Sequence, residues 1–251
     1  MTAVIIVLVA FIPSILYLVW IRNTERFSRE PYGRLLRVFF YGAFVSVLIA
    51  IVFELILAII FNQNIERVYE YLGENPSIPT IVLACVIAPF VEEAAKGVGV
   101  LRARRFLTEL ENGIVYGAAV GLGFAATENL LYENAALIEG GAQAFIATAV
   151  IRSISSALLH ATASSVMGLG MARKALRMGG WGLYYLAAVA MHSLFNFAAS
   201  FGTLYEDRFG EIAYTIGLAA ALAIVFVGVS AMRSKIRSLD RGHTRRARKV
   251  V

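Results

Sequence analysis

The sequence is poor in the residues that build soluble or cross-linked proteins: one cysteine and three histidines in 251 residues, with only 16% charged. The lone Cys85 sits in an apolar run, which excludes a disulfide framework or a thiolate metal cluster and reads as a small buried apolar side chain. Charge is scarce against 59% hydrophobic residues and a mean hydropathy of +0.72. Soluble domains hold about 25% charged and about 45–50% apolar residues, so a soluble fold is excluded. Disordered, collagen-like and nucleic-acid-binding readings fall with it. Period-two alternation is absent from the apolar runs, which excludes an outer-membrane barrel. No G-x-S-x-G or H-E-x-x-H motif occurs, so serine-hydrolase and ordinary zincin mechanisms lack support. No visible repeat suggests an inverted-repeat transporter.

What is present is a series of seven apolar runs, each near the roughly 20 residues that cross a bilayer. They cover about Ala3–Ile21, Val38–Phe61, Pro79–Leu101, Gly113–Tyr132, Ala144–Met171, Trp181–Phe201 and Ile212–Met232. The expected fold is all-α, a polytopic membrane protein of about seven helices forming a single transmembrane domain over residues 1–251. Its core lies at about 79–201, with a basic tail at 233–251. Alternate connecting segments carry 19 of the 23 Lys and Arg residues, while the opposite ones hold Arg67 and Arg208 beside acids such as Glu66, Glu70, Glu74, Glu206 and Asp207. That bias predicts an outside N-terminus and a cytoplasmic C-terminus. It also assigns the net charge of +6 to cytoplasmic loops and to a tail resting on anionic lipid. The first run has no basic n-region and no A-x-A site, and it ends in an interfacial Trp20, so it reads as a retained helix. Ile65, Val68, Tyr69 and Leu72 are spaced as one face of a short interfacial helix.

An ionisable group at the bilayer centre costs about 2.5–3.5 kcal/mol or more, so each demands a reason. The middle spans carry Glu92, Glu93 and Lys96, then Glu128 and Asn129, then Arg152 and His160, then His192 and Asn196. The second span adds Glu54. At about 1.5 Å per residue, Glu92 and Glu93 lie about 13 Å from the cytoplasmic end of their span, His192 about 16 Å, His160 about 18 Å, and Glu128 and Asn196 about 22 Å. One polar cavity can hold all of them. Arg152, at about 30 Å on that ruler, reads as structural and as a partner for Glu54. Lys96 lies three and four residues after the adjacent carboxylates and is placed to neutralise either. The pair would repel by about 3 kcal/mol at an effective dielectric near 20, which with desolvation makes one of them a better general base. Gly113, Gly117, Gly121 and Ala125 form a small-xxx-small stripe for close helix packing. Pro89 is placed to kink the third helix and free a carbonyl. His160, Ser164 and Gly168 share one helix face; His192, Asn196 and Ser200 share another. Glu54, Glu92, Glu93 and Glu128 against Lys96 and Arg152 leave two excess negative charges, so glutamates are protonated or a cation is bound. Three carboxylates and two histidines suit a divalent metal such as Zn²⁺ or Mn²⁺.

Four motifs in order, Glu92-Glu93-Ala-Ala-Lys96, Gly123-Phe124-Ala-Ala-Thr-Glu128-Asn129-Leu-Leu-Tyr132, His160, and His192-Ser-Leu-Phe-Asn196, resemble those of PrsW-type intramembrane proteases. The resemblance runs over about Pro79–Phe197, and Glu30-Pro31 in the first loop fits it. The wider group includes the CAAX prenyl endopeptidase and the Abi/CPBP proteins; Glu128 stands where the CAAX relatives have histidine, so their mechanism does not transfer directly. The resemblance implies a glutamate-dependent endopeptidase in a bacterial-type cell membrane. In it Glu92 or Glu93, with Glu128, activates water, His192 and Asn196 stabilise the oxyanion, and His160 completes the site. It implies a membrane-anchored protein or peptide substrate, such as an anti-sigma factor, with no nucleic acid involved. The residues alone leave an alternative, a cation or proton transporter using the same groups as a relay.

Overall fold

The computed structural model describes residues 3–27, 29–72 and 77–247, and within them the chain is helical with no strand. Glu74, Arg248 and Lys249, and the side chains of Arg245 and Arg246, lie outside the described residues. The helices are α1 (Ala3–Arg22), α2 (Tyr32–Gln63), α3 (Ile65–Leu72), α4 (Ile78–Arg102), α5 (Leu110–Ile154), α6 (Ser156–Ala175), α7 (Gly182–Phe209) and α8 (Ile212–Ala247). The short α3 is the amphipathic helix expected after the second run.

Six stretches among the described residues are long and apolar enough to cross a bilayer, one of them running Leu110–Ala175. That stretch is not one rod. Gly141, within α5, has φ 70° and ψ −161°, a backbone conformation that only glycine adopts without strain. Beyond it the chain doubles back. A Cβ placed on Gly113 would lie 2.3 Å from the Gly168 carbonyl oxygen, one on Gly117 2.2 Å from that of Ser164, and one on Gly121 2.1 Å from that of His160. The partner numbers fall as the glycine numbers rise, which is the register of two antiparallel helices in backbone contact. The small-residue stripe therefore clamps α5 against α6, and the stretch accounts for two of the seven apolar runs.

Burial is inside out relative to a soluble protein. Val4, Leu16, Leu48, Phe53, Leu55 and Phe226 are all more than half exposed, while Glu93 and Lys96 are fully buried. Lipid is the solvent that suits such a surface. The chain is a polytopic, all-α membrane protein.

Two helices carry a local π turn, Tyr41–Ser46 in α2 and Leu83–Ile87 in α4. The second leaves one carbonyl without a backbone partner. In a π turn the carbonyl of Ala84 would take its hydrogen bond from residue 89, which is a proline with no N–H. The Ala88 N–H is already spent on the Leu83 carbonyl. Ala84 is thus the carbonyl that Pro89 frees, and its new partner lies in the site described below. At the arginine-rich end, the loop between α1 and α2 is pinned from two sides. The Asp240 carboxylate of α8 accepts the backbone N–H groups of Arg26 (2.8 Å) and Phe27 (3.2 Å). The Glu30 carboxylate accepts from Asn112 Nδ2 at 2.9 Å and from the Tyr116 hydroxyl, both on α5.

Candidate active site

Lys96 is the hub of the buried polar groups. Its ammonium has three protons and spends them on Glu92 Oε2 (2.9 Å), Glu93 Oε1 (2.9 Å) and His160 Nδ1 (2.7 Å). The Phe124 ring lies 4.2 Å from the same nitrogen. An ammonium only donates, so His160 Nδ1 accepts; the ring proton is then on Nε2, which donates to Glu128 Oε2 at 2.7 Å. His192 is fixed in the opposite tautomer. Its Nδ1–H donates to Glu93 Oε1 at 3.0 Å, which leaves the Nε2 lone pair 3.9 Å from Glu92 Oε2. Glu93 accepts a third hydrogen bond, since Ser164 Oγ donates to its second oxygen at 3.2 Å. The two imidazoles meet edge to face at 4.9 Å between centroids.

A cavity of about 400 Å³ opens beside this network, and Glu54, Glu92, Glu128, Arg152, His160 and Asn196 are among its walls. Of the adjacent carboxylates it is Glu92 that faces the cavity, while Glu93 lies behind it, fully buried. Asn196 supplies the partner that Pro89 denies Ala84: its Nδ2 donates to the Ala84 carbonyl at 2.7 Å. One amide proton of Asn196 is therefore structural, tying α7 to the π turn of α4. The other remains on a side chain that lines the cavity.

The expected Arg152–Glu54 pair does not form. Arg152 binds Glu128 at 3.0 Å, donates to Asn129 Oδ1 (2.9 Å) and Ser156 Oγ (3.1 Å), and lies 3.8 Å over the Tyr132 ring. Glu128 and Asn129 are adjacent on α5, and the long guanidinium reaches both from the second limb of the same helix. The straight-rod ruler hid this by setting Arg152 in a different layer. Glu54 instead faces the cavity, with Oε1 buried and without a hydrogen-bond partner. Ser164 and Arg152 are the site residues that sequence reasoning underrated; Ser164 shares a helix face with His160, and that was its one signal.

Of the six predicted site residues, Glu92, Glu93, His160 and His192 thus meet in one network through Lys96. Glu128 joins through His160, and Asn196 stands on the cavity wall. Glu92, His160 and His192, all buried, each offer a donor atom within 4.8 Å of the others. Two of the separations, 3.8 Å for His160 Nδ1 to Glu92 Oε2 and 3.9 Å for His192 Nε2 to Glu92 Oε2, fall within reach of one ion at the usual ligand distance of about 2.0–2.2 Å. The donor set of one carboxylate and two imidazoles fits a divalent cation, with the Lys96 ammonium as its competitor for His160 Nδ1.

Comparison with known proteins points the same way. The chain is 35% identical over 128 residues to protease PrsW of Clostridioides difficile, covering 50% of this chain and about half (49%) of that protein's length. It is 27% identical over 210 residues to protease PrsW of Geobacillus kaustophilus, covering 82% of this chain and 81% of the relative. The Bacillus subtilis protein of the same name is 31% identical over 167 residues, covering 64% of this chain and 66% of the relative. No solved structure matches the chain. None of these comparisons supports an ion transporter. Over residues 30–229 the chain matches the model of the PrsW family of intramembrane metalloproteases, and it belongs to that family of peptide hydrolases.

Proposed function

We propose that this chain hydrolyses a peptide bond in a membrane-anchored protein, with residues 79–201 as its catalytic core, an outside N-terminus and a cytoplasmic C-terminus. The observation that carries the reading is the convergence of Glu92, Glu93, His160 and His192 in one buried network that opens through Glu92 and His160 onto a cavity. Glu92 is the base. It holds one bond to Lys96 and faces the cavity, whereas Glu93 accepts three hydrogen bonds and serves to orient His192 and Lys96.

In the reaction Glu92 takes a proton from water as the water oxygen bonds to the scissile carbonyl carbon. The same proton passes to the amide nitrogen as the C–N bond breaks, leaving a carboxylate and an amine. The free amide proton of Asn196 and the guanidinium of Arg152 are the donors on the cavity wall for the developing oxyanion. His192 is a poor oxyanion donor here, because its proton is committed to Glu93. With Glu92 Oε2, and with His160 once Lys96 gives up its Nδ1, it would hold a divalent cation, Zn²⁺ or Mn²⁺, leaving Glu92 Oε1 for the base. Such an ion, when bound, polarises a carbonyl or lowers the pKa of water. Lys96 holds the two carboxylates together against their repulsion. A membrane-anchored anti-sigma factor is one substrate of the proposed class.

Metal analysis and cleavage assays on the same reconstituted samples test this. Wild type carries about one divalent ion per chain and cleaves; His192→Ala folds, loses the ion and is inactive. A His192→Ala protein that cleaves at the wild-type rate overturns the site.

A further inference from the structure

The helix that carries Glu92, Glu93 and Lys96 has a second face. Ala94, Gly97, Val98 and Leu101 stand at i, i+3, i+4 and i+7 on one face of α4, and the two smallest hollow out a cavity of about 750 Å³. A Cβ on Gly97 would lie 2.6 Å from Met167 Cε, so any larger residue there would displace that methyl group. Met167 and Met171 of α6 form one wall, Trp181 and Tyr185 the other, and Arg104 and Lys174 stand at the rim. Trp181 and Tyr185 are the residue types that mark the headgroup level of a bilayer. Arg104 and Lys174 make no ion pair with a carboxylate among the described residues. Arg102 and Arg105 lie beside Arg104 around an adjoining hollow.

We propose that this groove binds an anionic phospholipid, with an acyl chain along Gly97 and Met167 and the phosphate between Arg104 and Lys174. An apolar trough closed at the interface by two cations, one of them over the Trp181 ring and neither ion-paired with a carboxylate among the described residues, matches the chemistry of such a lipid at both ends. A substrate's juxtamembrane segment matches it poorly. On the orientation proposed above the rim faces the cytoplasm, where membrane proteins concentrate Lys and Arg, and those charges would be repelled. The groove also shares no lining residue with the cavity at Glu92. Lipid would therefore brace the outer face of α4 without blocking the site.

Native mass spectrometry of the full chain, purified with phosphatidylcholine and titrated with phosphatidylglycerol, tests the assignment without any cleavage readout. Wild type retains phosphatidylglycerol in preference to phosphatidylcholine. Arg104→Ala/Lys174→Ala weakens that preference about 25-fold, as expected for two cations at a charged membrane surface. Ala94→Leu fills the exposed mouth of the groove and lowers retention of phosphatidylglycerol with the cations intact. Equal retention of the two lipids by wild type, an unchanged preference in the double variant, unchanged retention in Ala94→Leu, or release of the bound lipid by inorganic phosphate would each overturn the proposal.

Discussion

Lys96 donates to His160 Nδ1 across 2.7 Å, and this single bond sets the proton on the far side of the ring, where it meets Glu128. A lysine on α4 thereby connects the carboxylate pair on its own helix to a glutamate on α5 through an imidazole on α6. The ammonium is also the counter-charge that lets Glu92 and Glu93 be buried side by side.

Replacing it should be costly. Lys96→Met leaves two buried carboxylates without their cation, and breaking a buried pair from one side costs about 3–5 kcal/mol. Thermal unfolding in detergent is the measure. Adding Glu93→Gln to Lys96→Met removes one orphaned charge and should recover part of that stability, without recovering cleavage.

Asn196 and Pro89 are predicted to be coupled through the Ala84 carbonyl. Asn196→Ala strands that carbonyl, at a cost of about 1–3 kcal/mol. In an Asn196→Ala/Pro89→Ala protein the backbone N–H restored at residue 89 can serve the turn, so the second substitution should offset part of the first. Strict additivity in this double-mutant cycle would show that the two residues do not share the carbonyl.

Arg152 and Glu54 should behave as strangers. Arg152→Leu removes the cation beside Glu128, leaving it only the bond from His160, and is expected to cost about 3 kcal/mol. Glu54→Leu replaces a buried oxygen that has no partner, and stability should hold or rise. Equal losses from the two single variants, with no further loss in the double, would restore the pair that the structure replaces.

The loop outside the spans carries a pH signature. Burial pushes the Glu25 carboxyl up to about 8, against the backbone N–H of Glu30, which lowers it; the charges of Glu30, Glu111 and Asp240 raise it further. A folded-state value above the unfolded one means that the native chain keeps a proton which the unfolded chain has lost. Stability from this group is complete below the unfolded value near 4.5 and is lost as pH rises toward about 8. Unfolding temperatures between pH 5 and 8 should fall in wild type and fall less in Glu25→Gln.

Much of this was legible in the chain because a membrane makes polar residues expensive. Glu92, Glu93, His160 and His192 stand out of apolar runs, and the cost of burying each one singly argues for their meeting. Gly113, Gly117 and Gly121 likewise announce a close helix contact by their spacing, though not which helix makes it. Partner choice was harder to read. Arg152 and Glu128 were set in different layers by backbone rise alone, a ruler that leaves out the reach of a guanidinium, and the side chain closes that gap to Glu128. The tie from Asn196 to Ala84 depends on a π turn that no local propensity marks, although Pro89 hints at it. Asp240 meets Arg26 and Phe27 from more than 200 positions away, a contact that only the packed bundle creates. The groove opposite Lys96 is written as Ala94 and Gly97, small residues that read as ordinary membrane packing until the helices around them are in place.

The most direct test is the cleavage rate of Glu92→Gln, reconstituted beside wild type with the membrane protein found to accumulate uncut in its presence. The substitution keeps the side chain's shape and a hydrogen bond to Lys96 but removes the base. The account predicts a folded protein with wild-type insertion and a loss of at least about 100-fold in rate, the low end of what a positioned base contributes. A Glu92→Gln protein that cuts at the wild-type rate would contradict it.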